Sequence, residues 1–136
     1  MDLLYIVWNE QNNNGISILD EQHRGIVSAI NTFYYFYRNG VAGAALLPTL
    51  QILEQYTVLH FKTEEELLKQ AGYAKFDEHV ALHKDLIQKT VRLRQGDLAR
   101  SEPERLLQFL RDWWLGHISA EDGKYVTCLR ELLRIA

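Results

Sequence analysis

The sequence predicts an all-α fold: an up-down-up-down antiparallel four-helix bundle behind an irregular N-terminal arm. Three observations carry this expectation. Apolar residues recur at helical period over four long segments. Short breaks rich in Gly, Asn and Pro separate those segments. All five histidines lie on the segments, three of them with a partner four or five residues on, as ligands projected into a bundle core would.

Residues 1–18 form the expected arm, with a turn cluster at Asn12-Asn13-Asn14-Gly15. From about residue 20 to 38, Ile26, Val27, Ile30, Phe33, Tyr34 and Tyr37 fall at helical spacing. Asn39-Gly40 then stops the helix, because glycine accepts the left-handed C-cap conformation. A second helix is expected over about 45–71. Pro48 is tolerable only in its first turn, and Gly72 ends it. Its inward stripe is Leu50, Leu53, Thr57, His60, Glu64, Leu67 and Leu68.

The third helix, about 74–95, puts Phe76, His79, His83, Leu86, Ile87 and Val91 on one face, and Gly96-Asp97 closes it. Ser101 with Glu104 makes a capping box around Pro103, which opens the fourth helix. That helix presents Leu106, Phe109, Leu110, Trp113 and His117, then Tyr125, Leu129, Leu132 and Leu133. The length of 136 residues suits one domain over 1–136.

Composition narrows the function classes. A net charge of −3 and the lack of a basic run argue against nucleic-acid binding. No apolar stretch reaches membrane-spanning length. The start, Met1-Asp2-Leu3-Leu4, carries an acid where a signal peptide wants a base, so a cytoplasmic location is expected. The single Cys128 excludes an internal disulfide and fits a reducing compartment, most simply as an apolar filler.

The chemistry lies in the polar residues on the apolar stripes. His60 and Glu64, and His79 and His83, are spaced four apart, which puts each pair on one helix face. His23 stands alone on the first helix. Taken singly, each has a bland alternative: a hydrogen-bonded core histidine, a chance surface pair, or, for Glu64 in Glu64-Glu65-Glu66, a solvated acidic face. Helix phase points Glu64 inward and Glu65 and Glu66 away. A buried carboxylate is costly unless paired or metal-bound.

His117 and Asp122 are five apart. Five residues turn a regular helix by about 500°, leaving these side chains about 140° apart. Phase alone prefers Glu121, so Asp122 reaches the same site only through a distortion, most simply a wide π-type turn between Gly116 and Gly123.

Imidazoles with carboxylates suit iron, zinc, copper or manganese, and the lack of nearby thiolates disfavours a structural zinc site. These ligands are too many for one ion and suit two, bridged by Glu64 and Asp122. Five imidazole nitrogens, both oxygens of each bridging carboxylate and a bridging oxide or hydroxide leave one position open on a pair of octahedral ions. An odd split of the histidines places that opening on the ion with fewer of them.

Leu19-Asp20-Glu21-Gln22-His23, His60-Phe61-Lys62-Thr63-Glu64, His79-x-x-x-His83 and His117-Ile118-x-x-x-Asp122, together with Trp8, resemble the hemerythrins, specifically the single-domain bacteriohemerythrins, over essentially the whole chain. The resemblance implies that His79, His83 and His117 bind one iron and His23 and His60 the other. Glu64, Asp122 and an oxo or hydroxo group would bridge the two. It implies reversible binding of O2 as the ligand at the open position, Tyr125 beside the bridging glutamate, and an apolar pocket of Ile26, Phe61, Trp113 and Ile118.

The chain departs from the family at Trp113-Trp114, where Trp-Leu is common. Trp114 either faces a neighbouring helix or solvent, or its bulk narrows the pocket.

The expected function is oxygen transport, storage or delivery, without enzymatic turnover. The alternatives are O2 or redox sensing through a protein partner, and di-iron peroxide or nitric oxide chemistry. The expected partner is O2, with a protein receiving O2 or a signal as the other candidate. No nucleic acid and no membrane span are expected, and the oligomeric state is open.

Overall fold

The computed structural model describes residues 4–10, 13–41, 43–96, 102–113, 116 and 125–135. Five helices appear among them: α1 (Ser17–Arg38), α2 (Gly43–Ala71), α3 (Phe76–Gln95), α4 (Pro103–Trp113) and α5 (Val126–Ile135). They build the antiparallel four-helix bundle, with α4 and α5 supplying its fourth member. α1 packs on α2 and α4, and α2 also packs on α3 and α5. Among the described residues no helix is long and apolar enough to cross a membrane.

Glycines end the first two helices as their positions predict. Gly40 and Gly72 have φ of 73° and 67°, in the left-handed region that a Cβ disfavours. Behind them, Val41 N donates to Phe36 O at 3.0 Å and Tyr73 N to Leu68 O at 3.1 Å. These bonds satisfy helix-end carbonyls in the Schellman manner.

Two local expectations need correction. α2 begins at Gly43, so Pro48 lies inside the helix, beyond the first turn. Its side chain is exposed, and its ring leaves the carbonyl four residues earlier without the usual helical donor. At α4, Pro103 is the first helical residue, so Glu102 takes the flanking position expected of Ser101, which is outside the described residues. The Glu102 carbonyl accepts from Arg105 N and Leu106 N at 3.1 and 3.3 Å.

The arm is tied to α1. Asn31 clamps Ile6 in both directions, accepting from its N–H and donating to its carbonyl, each at 2.8 Å. The Arg24 guanidinium lies over the Trp8 ring at 5.3 Å, and Tyr5 packs on Tyr34 with centroids 4.9 Å apart. Asp20, in the first turn of α1, accepts from the backbone N–H groups of Asn14 and Gly15 at 2.8 and 3.1 Å, fixing the turn that leads into the helix.

The buried side chains form two apolar clusters. The larger runs from Ile26, Ile30 and Phe33 through Leu46, Leu50, Leu53 and Phe61 to Leu106, Leu110 and Trp113. The smaller holds Ile16, Leu19, Leu68, Tyr125 and Leu129. His23, His60, Glu64, His79 and His83 are buried with them, on stripes whose neighbouring turns feed one cluster or the other.

Candidate metal centre

Antiparallel packing brings the polar stripe positions to one level. His23 lies near the start of α1, His60 and Glu64 near the end of α2, and His79 and His83 near the start of α3. All five are buried, with His60 and Glu64 at 0% exposure. Such a cluster of polar groups in an apolar core is expensive unless each finds a partner.

Glu64 is the hub. Its Oε2 lies 3.2 Å from His60 Nε2, and its Oε1 lies 3.0 Å from His83 Nε2 and also meets His79 Nε2. Burial pushes the Glu64 carboxyl up, but hydrogen bonds from His60, His79 and His83 outweigh it and hold the group well below the usual carboxylate range. His23 Nε2 completes the cluster 3.1 Å from His60 Nε2. Two overlapping sets result, His23 with His60 and Glu64, and Glu64 with His79 and His83. In each set one ligand atom per residue lies within 4.8 Å of the others. Each set can hold a metal ion, and Glu64 is common to both.

The imidazoles are held from behind. Phe61 stacks on His83 with centroids 3.8 Å apart and planes at 2°, and meets Trp113 edge-on at 6.4 Å. Tyr125 packs edge-on to His79 at 5.1 Å. Gln22 Oε1 lies 3.1 Å from His60 Nδ1, and Gln22 Nε2 donates to Thr63 Oγ1 at 3.0 Å. A ligand imidazole whose second nitrogen is engaged has its tautomer and orientation set by that bond.

The donor set fits a metal. The Nε2 atoms of His23 and His60 lie 3.1 Å apart, a contact that one shared hydrogen satisfies and that a cation facing both lone pairs can replace. Three imidazoles sharing one ionised carboxylate is likewise an arrangement suited to a cation.

Of the residues singled out in the sequence, the structure brings together His23, His60, Glu64, His79 and His83, with Phe61 and Tyr125 against them, Trp113 edge-on to Phe61 and Ile26 buried in the larger cluster. His117, Asp122, Trp114 and Ile118 lie outside the described residues. Gly116 has π-type backbone, while the His117–Asp122 segment for which a π-type turn is expected lies outside the described residues.

Glu66 is exposed as expected, but Glu65 is not free of the site. Its side chain is 26% exposed and Oε2 lies 3.4 Å from His83 Nδ1. The reason is rotational: the residue after an inward one is turned by only about 100°, which still faces α3 at this crossing. Glu65 therefore serves poorly as a silent control, and Glu66 takes that role.

Sequence reasoning missed Gln22 and Thr63. A signal existed for Gln22: a polar residue on the stripe of Leu19 and Ile26, buried to 6% exposure. Nothing in the sequence singles out Thr63, whose role depends on where α1 crosses α2.

The Hemerythrin HHE cation binding domain family matches residues 14–129. A bacteriohemerythrin of Pseudomonas paraeruginosa is 32% identical over 132 residues, covering 94% of this chain and 84% of the relative. Myohemerythrin-1 of Phascolopsis gouldii is 27% identical over 119 residues, covering 88% of this chain and 90% of that protein. A crystal structure of wild-type hemerythrin superposes with a TM-score of 0.81 at 27% identity, over 92% of this chain and 98% of the other.

Proposed function

The chain belongs to the hemerythrin family, and from that premise we propose that it binds O2 reversibly at a non-haem di-iron centre, serving oxygen transport, storage or delivery and not catalysis. One observation carries the proposal: four buried histidines from three helices gather around the single carboxylate of Glu64. In this proposal His79, His83 and His117 would hold one iron and His23 and His60 the other, with Glu64 and Asp122, together with an oxo or hydroxo group, serving both. When bound, the iron pair supplies the two electrons that O2 binding draws on. A single hemerythrin-like domain over residues 1–136, resident in the cytoplasm, completes the proposal, and the lone Cys128 suits that reducing compartment.

The protein's own part is to orient donors and keep the site dry. Phe61 lies against the His60 and His83 rings and joins Ile26 and Trp113 in one buried apolar cluster. Neutral imidazoles outnumber carboxylates, which limits anionic donation to the metals and suits binding of O2 over its cleavage.

Metal analysis of the purified protein is expected to find two irons per chain, with oxo-to-ferric charge-transfer bands in the near ultraviolet. Reduction followed by re-oxygenation should then give an oxygenated spectrum that persists and reverses when O2 is removed. One zinc per chain, or immediate irreversible oxidation, would overturn the proposal.

A second expected outcome concerns Trp114, assigned here to the pocket over the less histidine-rich iron. Trp114→Leu opens volume there, so azide should reach the ferric site faster. Unchanged azide kinetics in Trp114→Leu, with altered kinetics in Trp113→Leu, would place Trp114 away from the pocket.

A further inference from the structure

We propose that Thr63, whose hydroxyl bonds Leu59 and Gln22, is a positioning residue that acts through Gln22 to hold His60 in its metal-binding tautomer. The argument follows one hydrogen at a time. The Thr63 hydroxyl has a single hydrogen, and it is spent on the Leu59 carbonyl at 2.9 Å. Its oxygen is therefore an acceptor toward Gln22, which places the Gln22 amide nitrogen against it at 3.0 Å.

The amide is planar, so the opposite corner, Oε1, faces His60 Nδ1 at 3.1 Å. An amide oxygen offers only lone pairs. His60 Nδ1 must then carry a hydrogen, so that once a metal ion replaces the hydrogen that Nε2 shares with Glu64, the ring is neutral and its Nε2 lone pair is free to ligate. His60 is fully buried and Gln22 nearly so, so water competes little for these bonds.

Without the hydroxyl, nothing in this relay distinguishes the two orientations of the Gln22 amide. The flipped amide turns its NH2 toward His60 Nδ1, which can accept only by moving the ring hydrogen to Nε2. A protonated Nε2 cannot ligate a metal.

The inference rests on His60 being a metal ligand, as proposed above. The test is anaerobic Fe(II) titration of the whole chain against a competing chelator. Thr63→Val removes the hydroxyl at nearly constant volume on a half-buried helix position. It is expected to weaken Fe(II) binding about tenfold, the low end of the range for groups behind a metal ligand, because it acts one step further back. Thr63→Ser should restore wild-type affinity.

The decisive variant is Gln22→Glu. A carboxylate accepts with either oxygen, so in that background Thr63→Val should change the affinity by less than about twofold. A merely structural role for Thr63 would give the same loss in both backgrounds. Thr63→Ala, a better helix former, repeats the comparison should the valine variant fold poorly.

Equal Fe(II) affinity in wild type and Thr63→Val, failure of serine to rescue, or an undiminished loss in the Gln22→Glu background would each overturn the inference and leave the metal-site proposal standing. A wild-type chain that binds no Fe(II) would overturn both.

Discussion

Glu64→Ala is expected to abolish stable metal binding, weakening iron affinity by more than about a hundredfold. Removing a group that merely supports a metal ligand costs about ten- to a hundredfold, and Glu64 is the hub itself. Its carboxylate faces His60, His79 and His83 at once and belongs to both ligand sets. Truncation removes the anionic group common to both and leaves the three imidazoles facing a void.

Glu66→Ala is the matched control. Glu66 is exposed, and it accepts a hydrogen bond from Gln70 Nε2 at 3.2 Å. Its loss should shift stability by no more than about 0.5 kcal/mol and leave the iron in place. Iron content after dialysis against chelator separates the two. Wild-type retention by Glu64→Ala, or equal loss in both variants, would remove Glu64 from the centre.

Phe61→Ala is expected to destabilise the fold by about 3–5 kcal/mol, the usual cost of deleting a fully buried aromatic ring. The ring has 0% exposure and belongs to the larger apolar cluster. It also stacks flat on His83 and lies 5.7 Å from the His60 ring, so it supports ligands of both sets. A cavity here would let His83 tilt and admit water to the most buried polar layer of the molecule. Denaturant unfolding of the metal-loaded proteins measures the loss. A cost below about 1 kcal/mol would show that the neighbouring side chains close over the gap and that the stacking on His83 is incidental.

Much of this site is legible in the sequence because helix phase is a local property. The i, i+4 spacing of His60 with Glu64 and of His79 with His83 sets their faces whatever surrounds them, and the apolar stripe on each helix shows which face turns inward. Both helix-ending glycines are legible for the same reason. Helix starts are less so. α2 opens at Gly43 and carries Pro48 inside it, because the burial of Leu46 and Leu50 on either side is a tertiary contribution that local propensity does not contain. Glu65 was misplaced because the boundary between an inward and an outward face depends on the neighbour. At its crossing with α2, α3 is near enough for a side chain one step off the stripe to reach His83.

By itself the sequence determined the four inward stripes, the ligand types on three of them at i, i+4 spacing or alone, and hence an all-α bundle built around polar groups able to hold a cation. Only the tertiary structure decided that Glu64, already a bridging candidate, reaches His79 and His83 on α3 as well as His60 on its own helix, that Phe61 lies flat on His83, and that Thr63 and Gln22 lead to the back of His60. The physical reason is that spacing along a helix specifies direction but not depth or partner. Thr63 and His60 are three residues apart on α2, yet the group that links them stands on α1, 41 residues from Thr63 in the chain. Such a link exists only once the two helices have packed.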